Sequence, residues 1–289
     1  MIKTVSLLIG SFLLPQVDSE NARIRYEIAT QMQHMIGVPE SSIKNTISEQ
    51  HVRATPKNFC KRLLSAYHHE LMTELLQCGF SHEEIQQKYH INRKKIIEDD
   101  DSRRLKPLEK AAKVPVKKMV HALADRWKIK HKIRVINAPD GTNIGSARIT
   151  ELFLDEERWE NAFDKDPRVL QFIAGHELTH ILHEDIALDL ALNEVQKKNL
   201  SGHSAVKTET CEAISRLSKF CEVRADIYSA LDSKRALKGY LFWTKRDLEV
   251  CGDEVDKDHP LTSDRLQLAG LLQKLYATYQ PQPRKRKRE

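Results

Sequence analysis

A chain of 289 residues has room for one large domain or two smaller ones. Hydrophobic residues at 40% and charged residues at 30% are an ordinary globular balance, which excludes a chain disordered throughout. The net charge of +6 belongs to the C-terminus: Arg284-Lys285-Arg286-Lys287-Arg288 carries five positive charges, and the remainder is close to neutral.

Residues 279–289 are expected to form a disordered, solvated basic tail, with nucleic acid, anionic lipid or an acidic protein as its possible contacts. The five cysteines make no C-x-x-C pair and no zinc-ribbon spacing.

At the other end, Lys3 precedes an apolar run from Val5 to Leu14, Pro15 breaks it, and Val17-Asp18-Ser19 follows. This predicts a secretory signal over residues 1–19, too short to span a bilayer as a mature helix. The expectation is a secreted or periplasmic chain, cytoplasmic if the signal reading fails. No other segment is long and apolar enough to predict a transmembrane span.

Residues 20–105 read as a helical N-terminal region. Ile24, Ile28, Met32, Met35 and Ile36 recur at helix spacing, and Gly37-Val38-Pro39 closes the helix. A second helix is predicted from Pro56 to Gln77, on the stripe Phe59, Leu63, Leu64, Tyr67, Leu71 and Leu75, with Gly79 as its stop. Over 80–97, Ser81 and Glu84 form a capping box, and a short turn leads to a basic second helix. This is like a helix-turn-helix, with Arg93, Lys94 and Lys95 placed for a phosphate backbone. It supports an alternative in which the protein is a DNA-binding regulator, with the segment 106–278 as its sensor domain. The charge run Glu98–Arg104 reads as a linker or a solvated helix face.

The segment 106–278 reads as a second domain. Leu108 to Trp127 looks helical, with Met119, Val120, Leu123 and Trp127 inward. Lys132–Asn137 alternates as a strand does, Pro139-Asp140-Gly141 is turn chemistry, and Asn143–Leu154 supplies one or two further extended segments. The fold class expected is therefore α+β and mostly helical, with a small sheet ahead of a long helix from Arg168 to about Leu190.

That helix carries His176-Glu177-Leu178-Thr179-His180, an H-E-x-x-H pattern. Residues four apart share a helix face, so two imidazoles can reach one metal ion while Glu177 serves as general base. Val169, Leu170, Ile173, Ile181, Leu182 and Ile186 make the helix apolar and buried, where two histidines and a glutamate need a partner. A zinc ion would satisfy them. His183 reads as a packing or hydrogen-bonding residue rather than a ligand.

A catalytic zinc takes three protein ligands. Metzincin spacing would place the third at position 186, which is Ile186. The helix from about Thr208 to Leu231 offers Glu222 instead. Asp226, four residues on, can accept the outer N–H of a liganding histidine.

Taken together, Gly175-His176-Glu177-Leu178-Thr179-His180, then Glu222-Val223-Arg224-Ala225-Asp226, then Asp258-His259-Pro260 with Arg265, resemble the zinc metallopeptidases typified by HtpX and the CAAX prenyl protease. The resemblance runs from about Pro107 to Tyr276. It implies a gluzincin-type domain, one zinc ion on His176, His180 and Glu222, and Glu177 as catalytic base. It also implies Asp226 as a support behind the ligands, and places His259, as a further catalytic residue, and Arg265, as a further support, near the active cleft, where they would steady the oxyanion or the ligand helix. The activity implied is zinc-dependent endopeptidase cleavage of a protein or peptide substrate. Thr179 stands where such proteins often have Gly, and their membrane helices are missing, so prenylated substrates are not implied. In the DNA-binding alternative this metallopeptidase-like domain is the sensor.

Overall fold

Thr55 accepts from the Asn58 backbone N–H ahead of Pro56, and Ser81 from that of Glu84, so local capping starts two of the N-terminal helices. The structure, a computed structural model, describes residues 19–38, 54–138, 145–199, 204–253 and 259–279. The expected signal up to Asp18, the Pro139-Asp140-Gly141 turn, Asp258 and the run Arg284–Arg288 lie outside the described residues.

In chain order the elements are α1 (Ser19–Ile36), α2 (Pro56–Gln77), α3 (His82–Ser102), β1 (Lys110–Ala111), α4 (Val114–Arg126), β2 (Arg134–Asn137), β3 (Gly145–Ala147), β4 (Glu151–Leu154), α5 (Glu156–Ala162), α6 (Pro167–His183), α7 (Asp185–Asn199), α8 (Ser204–Ala230), α9 (Lys234–Cys251) and α10 (Thr262–Thr278). The described residues are mostly helical with one four-stranded mixed sheet, an α+β arrangement. Among the described residues, no helix is long and apolar enough to cross a membrane.

The sheet runs β1-β2-β4-β3, with β2 and β4 parallel and the outer pairs antiparallel. Among the described residues β3 is an edge, joined only to β4, with Gly145 opposite Leu154. Beside the sheet lies α6, which also packs on α4, α8 and α9. A Cβ at Gly175 would sit 2.4 Å from Ser229 Oγ, so the α6–α8 approach requires glycine there. Ser229 Oγ uses that closeness to donate to the Phe172 carbonyl at 2.5 Å.

The N-terminal helices share this core. α1 packs on α8 and α10, α2 on α8 and α3 on α7, and one cluster of buried side chains runs from Ile24 to Leu275.

Three local expectations change. The turn expected within 80–97 is absent, because α3 is a single helix from His82 to Ser102. Tyr89-His90-Ile91-Asn92 contains neither Gly nor Pro to stop it. Its cations turn to acids: Arg93 pairs with Glu184, Lys88 with Glu194 and Lys94 with Glu98. A helix-turn-helix is therefore not formed here.

Second, the segment read as helical from Leu108 begins as β1, and its helix starts only at Val114, with Pro115 in the first turn. Third, the helix expected from Arg168 to Leu190 is two helices. Glu184 stands between them at φ 52° and ψ 40°, capping α6 in the left-handed conformation. A non-glycine residue there is strained by about 1–3 kcal/mol. Its carboxylate is held by Tyr89, by Arg93 Nε at 2.6 Å and by His131 Nε2 at 3.1 Å. Leu182, expected inside, is at the surface.

Candidate metal centre

The i,i+4 spacing on α6 brings His176 and His180 to one face, with their Nε2 atoms 3.1 Å apart. Antiparallel packing of α8 adds Glu222, whose carboxylate lies 3.2 Å from His176 Nε2 and 3.4 Å from His180 Nε2. These three residues form a group whose ligand atoms lie within 4.8 Å of one another and that could hold a metal ion.

Hydrogen bonding behind the ring settles which nitrogen faces inward. His176 Nδ1 donates to Asp226 Oδ1 at 2.9 Å, and His180 Nδ1 donates to Asp185 Oδ2 at 2.9 Å. Burial pushes both aspartates toward protonation, but Arg265 and His176 outweigh it at Asp226, and Arg224 and His180 at Asp185, so both stay below the usual carboxylate range. An ionised carboxylate only accepts, so each Nδ1 carries a proton and each ring turns its Nε2 inward, as a lone pair whenever the ring is neutral.

With both rings neutral, two lone pairs and a carboxylate face one another in a buried space. They repel unless a cation lies between them. The pKa values express the same demand. Burial opposes a charge on His176, yet the Asp226 and Glu222 carboxylates prevail and hold it up at about 10. Burial likewise opposes a charge on His180, and Glu222 raises it nonetheless.

The spacing suits a metal. Ligands about 2.0–2.2 Å from a tetrahedral zinc are separated by roughly 3.3–3.5 Å, close to the three distances found. The donor set of two imidazoles and one carboxylate is also that of catalytic zinc sites. These residues therefore fit the ion that the sequence pattern implies.

Around this group the supports are nearly complete. Asp226 is fully buried and accepts from Tyr240 Oη at 2.8 Å, Arg265 Nε at 2.8 Å and Arg265 Nη2 at 2.6 Å, besides His176. The Arg265 guanidinium lies over the Trp243 ring, 4.4 Å from its centroid. Arg265 thus clamps Asp226 and does not itself join the ligand group. His259 is half exposed, with Nε2 3.8 Å from Glu222 Oε1.

Glu177 is buried beside the ligands, and burial raises its pKa. Edge strand β3 runs past it: a Cβ at Gly145 would come within 3.0 Å of Glu177 Cγ and Oε1. A side chain at position 145 would have to displace Glu177 or Ile173. His183 does not join the group; its Nε2 is buried without a hydrogen bond, and its ring meets Tyr228 edge-on at 5.3 Å.

Sequence reasoning brought His176, Glu177, His180, Glu222, Asp226 and Arg265 toward one centre, and the structure does bring them together. It missed Asp185, Arg224 and Tyr240. On one continuous helix a residue five beyond His180 would lie about 140° round the axis. The left-handed corner at Glu184 instead returns Asp185 to the His180 ring. The one available signal was an acid shortly after the second histidine. Tyr240 had none, since its role depends on how α9 packs against α8. Comparison of the chain with protein-family models, curated proteins and solved structures finds no match.

Proposed function

We propose that this protein is a zinc-dependent hydrolase, and more particularly a metalloendopeptidase of the kind typified by HtpX and the CAAX prenyl protease. The observation that carries the reading is the inward convergence of His176 Nε2, His180 Nε2 and a Glu222 carboxylate oxygen, with each Nδ1 committed to a carboxylate behind it. The order of the three motifs along the chain, and an edge strand beside Glu177, add support.

Zinc held by His176, His180 and Glu222 would supply Lewis acidity, acidifying water and polarising a carbonyl. Glu177 takes the proton of the attacking water and passes it to the leaving amine. Burial raises its pKa from an ordinary carboxylate value, which strengthens it as a base. β3, an edge among the described strands, offers backbone groups to an extended peptide, so recognition rests on main-chain pairing with little side-chain selectivity. His259, half exposed beside Glu222, is assigned to the oxyanion that develops on the scissile carbonyl. Asp226 and Arg265 keep His176 in its tautomer.

Glu177→Gln tests this. The variant should keep zinc at one ion per chain and lose hydrolysis of a casein-type substrate. Hydrolysis at the wild-type rate would rule the mechanism out.

A further inference from the structure

Asp226 behind His176 has a counterpart that no motif includes. Asp185 accepts from His180 Nδ1 through Oδ2 at 2.9 Å and receives Arg224 Nη2 on Oδ1. Asp185 and Arg224 are both buried. The two histidines are therefore backed alike, each by an aspartate gripped by its own arginine, Arg265 in one case and Arg224 in the other. Two features show that Asp185 is built into place. It begins α7 directly after the left-handed Glu184, and that corner is tied to α3 through Arg93 and Tyr89. Arg224 also stands two residues from Glu222, so one turn of α8 provides both a ligand and the clamp on the support of another.

We infer that Asp185 is a positioning residue for metal binding: held by Arg224, it fixes His180 with Nδ1 protonated and Nε2 toward the ion. The inference rests on the metal-site reading above. The chemistry is one-sided. If the Asp185 carboxylate is lost, the His180 ring can turn or take the other tautomer, whose Nε2–H cannot bind a metal. An asparagine at 185 is more informative than alanine. Arg224 would draw the amide oxygen, leaving the NH₂ group facing His180 Nδ1, which favours that wrong tautomer while the volume is unchanged.

The test is zinc affinity, measured by competition with a chromophoric chelator, for the wild type, Asp185→Ala, Asp185→Asn and a His176→Ala control. The visible spectrum of each cobalt(II)-loaded protein and the melting temperature of each zinc-free protein accompany it. Loss of the partner behind a liganding histidine typically weakens binding by about 10- to 100-fold. We expect losses in that range for both Asp185 variants, with a changed cobalt spectrum. Asp185→Asn should be at least as weak as Asp185→Ala although its zinc-free fold is closer to wild type. Affinity within twofold of wild type in Asp185→Asn, with zinc binding abolished in His176→Ala, overturns the inference and leaves the metal centre standing. A wild-type protein that binds no zinc overturns both. If Asp185→Ala does not fold, Asp185→Asn decides.

Discussion

Replacing Arg265 by Met removes the guanidinium that clamps Asp226 while roughly keeping its apolar stem. Asp226 has no exposed surface, and Arg265 gives it two of its four hydrogen bonds, at 2.8 Å and 2.6 Å. Each is charge-assisted and contributes about 1.5–3 kcal/mol. Removing one partner of a buried pair typically destabilises by about 3–5 kcal/mol, because the other charge is left in a poor solvent. Tyr240 and His176 still donate to Asp226, so the lower end, about 3 kcal/mol, applies here. Unfolding entropy of about 2 cal/mol/K per residue turns that into a fall of roughly 5 °C in melting temperature. The assay is urea and thermal unfolding of the zinc-free protein. Arg265→Lys should recover part of the loss, since an ammonium restores charge but not the two-pronged geometry. A loss below about 1 kcal/mol in Arg265→Met would refute the claim that this pair holds the support of the site.

Other outcomes follow from the same geometry. Gly175→Ala would drive a methyl group against Ser229 Oγ, 2.4 Å from the ideal Cβ position, and should destabilise by about 1–3 kcal/mol; adding Ser229→Gly should restore most of it in denaturant titrations. His183 is buried near Arg224, and burial first, then that charge, hold its pKa down at about 4. Its folded pKa lies below the unfolded value near 6.5. The unfolded chain therefore binds the extra proton, and the stability from this group is complete above pH 6.5 and lost as pH falls toward 4. The slope is at most about 1.4 kcal/mol per pH unit, and His183→Leu should flatten that window in pH-dependent unfolding. Arg93→Ala should cost about 1 kcal/mol through loss of the Glu184 contact. It should leave any gel shift with duplex DNA unchanged; a weaker shift would return α3 to the nucleic-acid reading.

The legible part of the site is the part carried by single helices. His176 and His180 follow from the 3.6-residue repeat alone, as does the shared face of Glu222 and Asp226, because local geometry places residues four apart together whatever the fold. The alternation in Lys132–Asn137 likewise foretold β2. Helical periodicity foretold α2 from Pro56 to Gln77. The stretch 80–97 was misread because a two-helix pattern and one long helix share the same apolar spacing. The missing Gly or Pro within Tyr89–Asn92 was the one local hint of a single helix, and packing against α7, whose Glu194 takes Lys88 and whose leading corner Glu184 takes Arg93, holds it so. Asp185 was illegible for a related reason. Its place beside His180 depends on one left-handed residue, and that conformation at a glutamate is paid for by contacts from α3 and His131, 53 residues or more away in sequence. By itself the sequence determined the candidate ligand residue types and their helical faces. The tertiary structure alone decided how α6 and α8 meet and which side chains stand behind each ligand, since those relations rest on long-range packing and buried charge pairing rather than on any repeat along the chain.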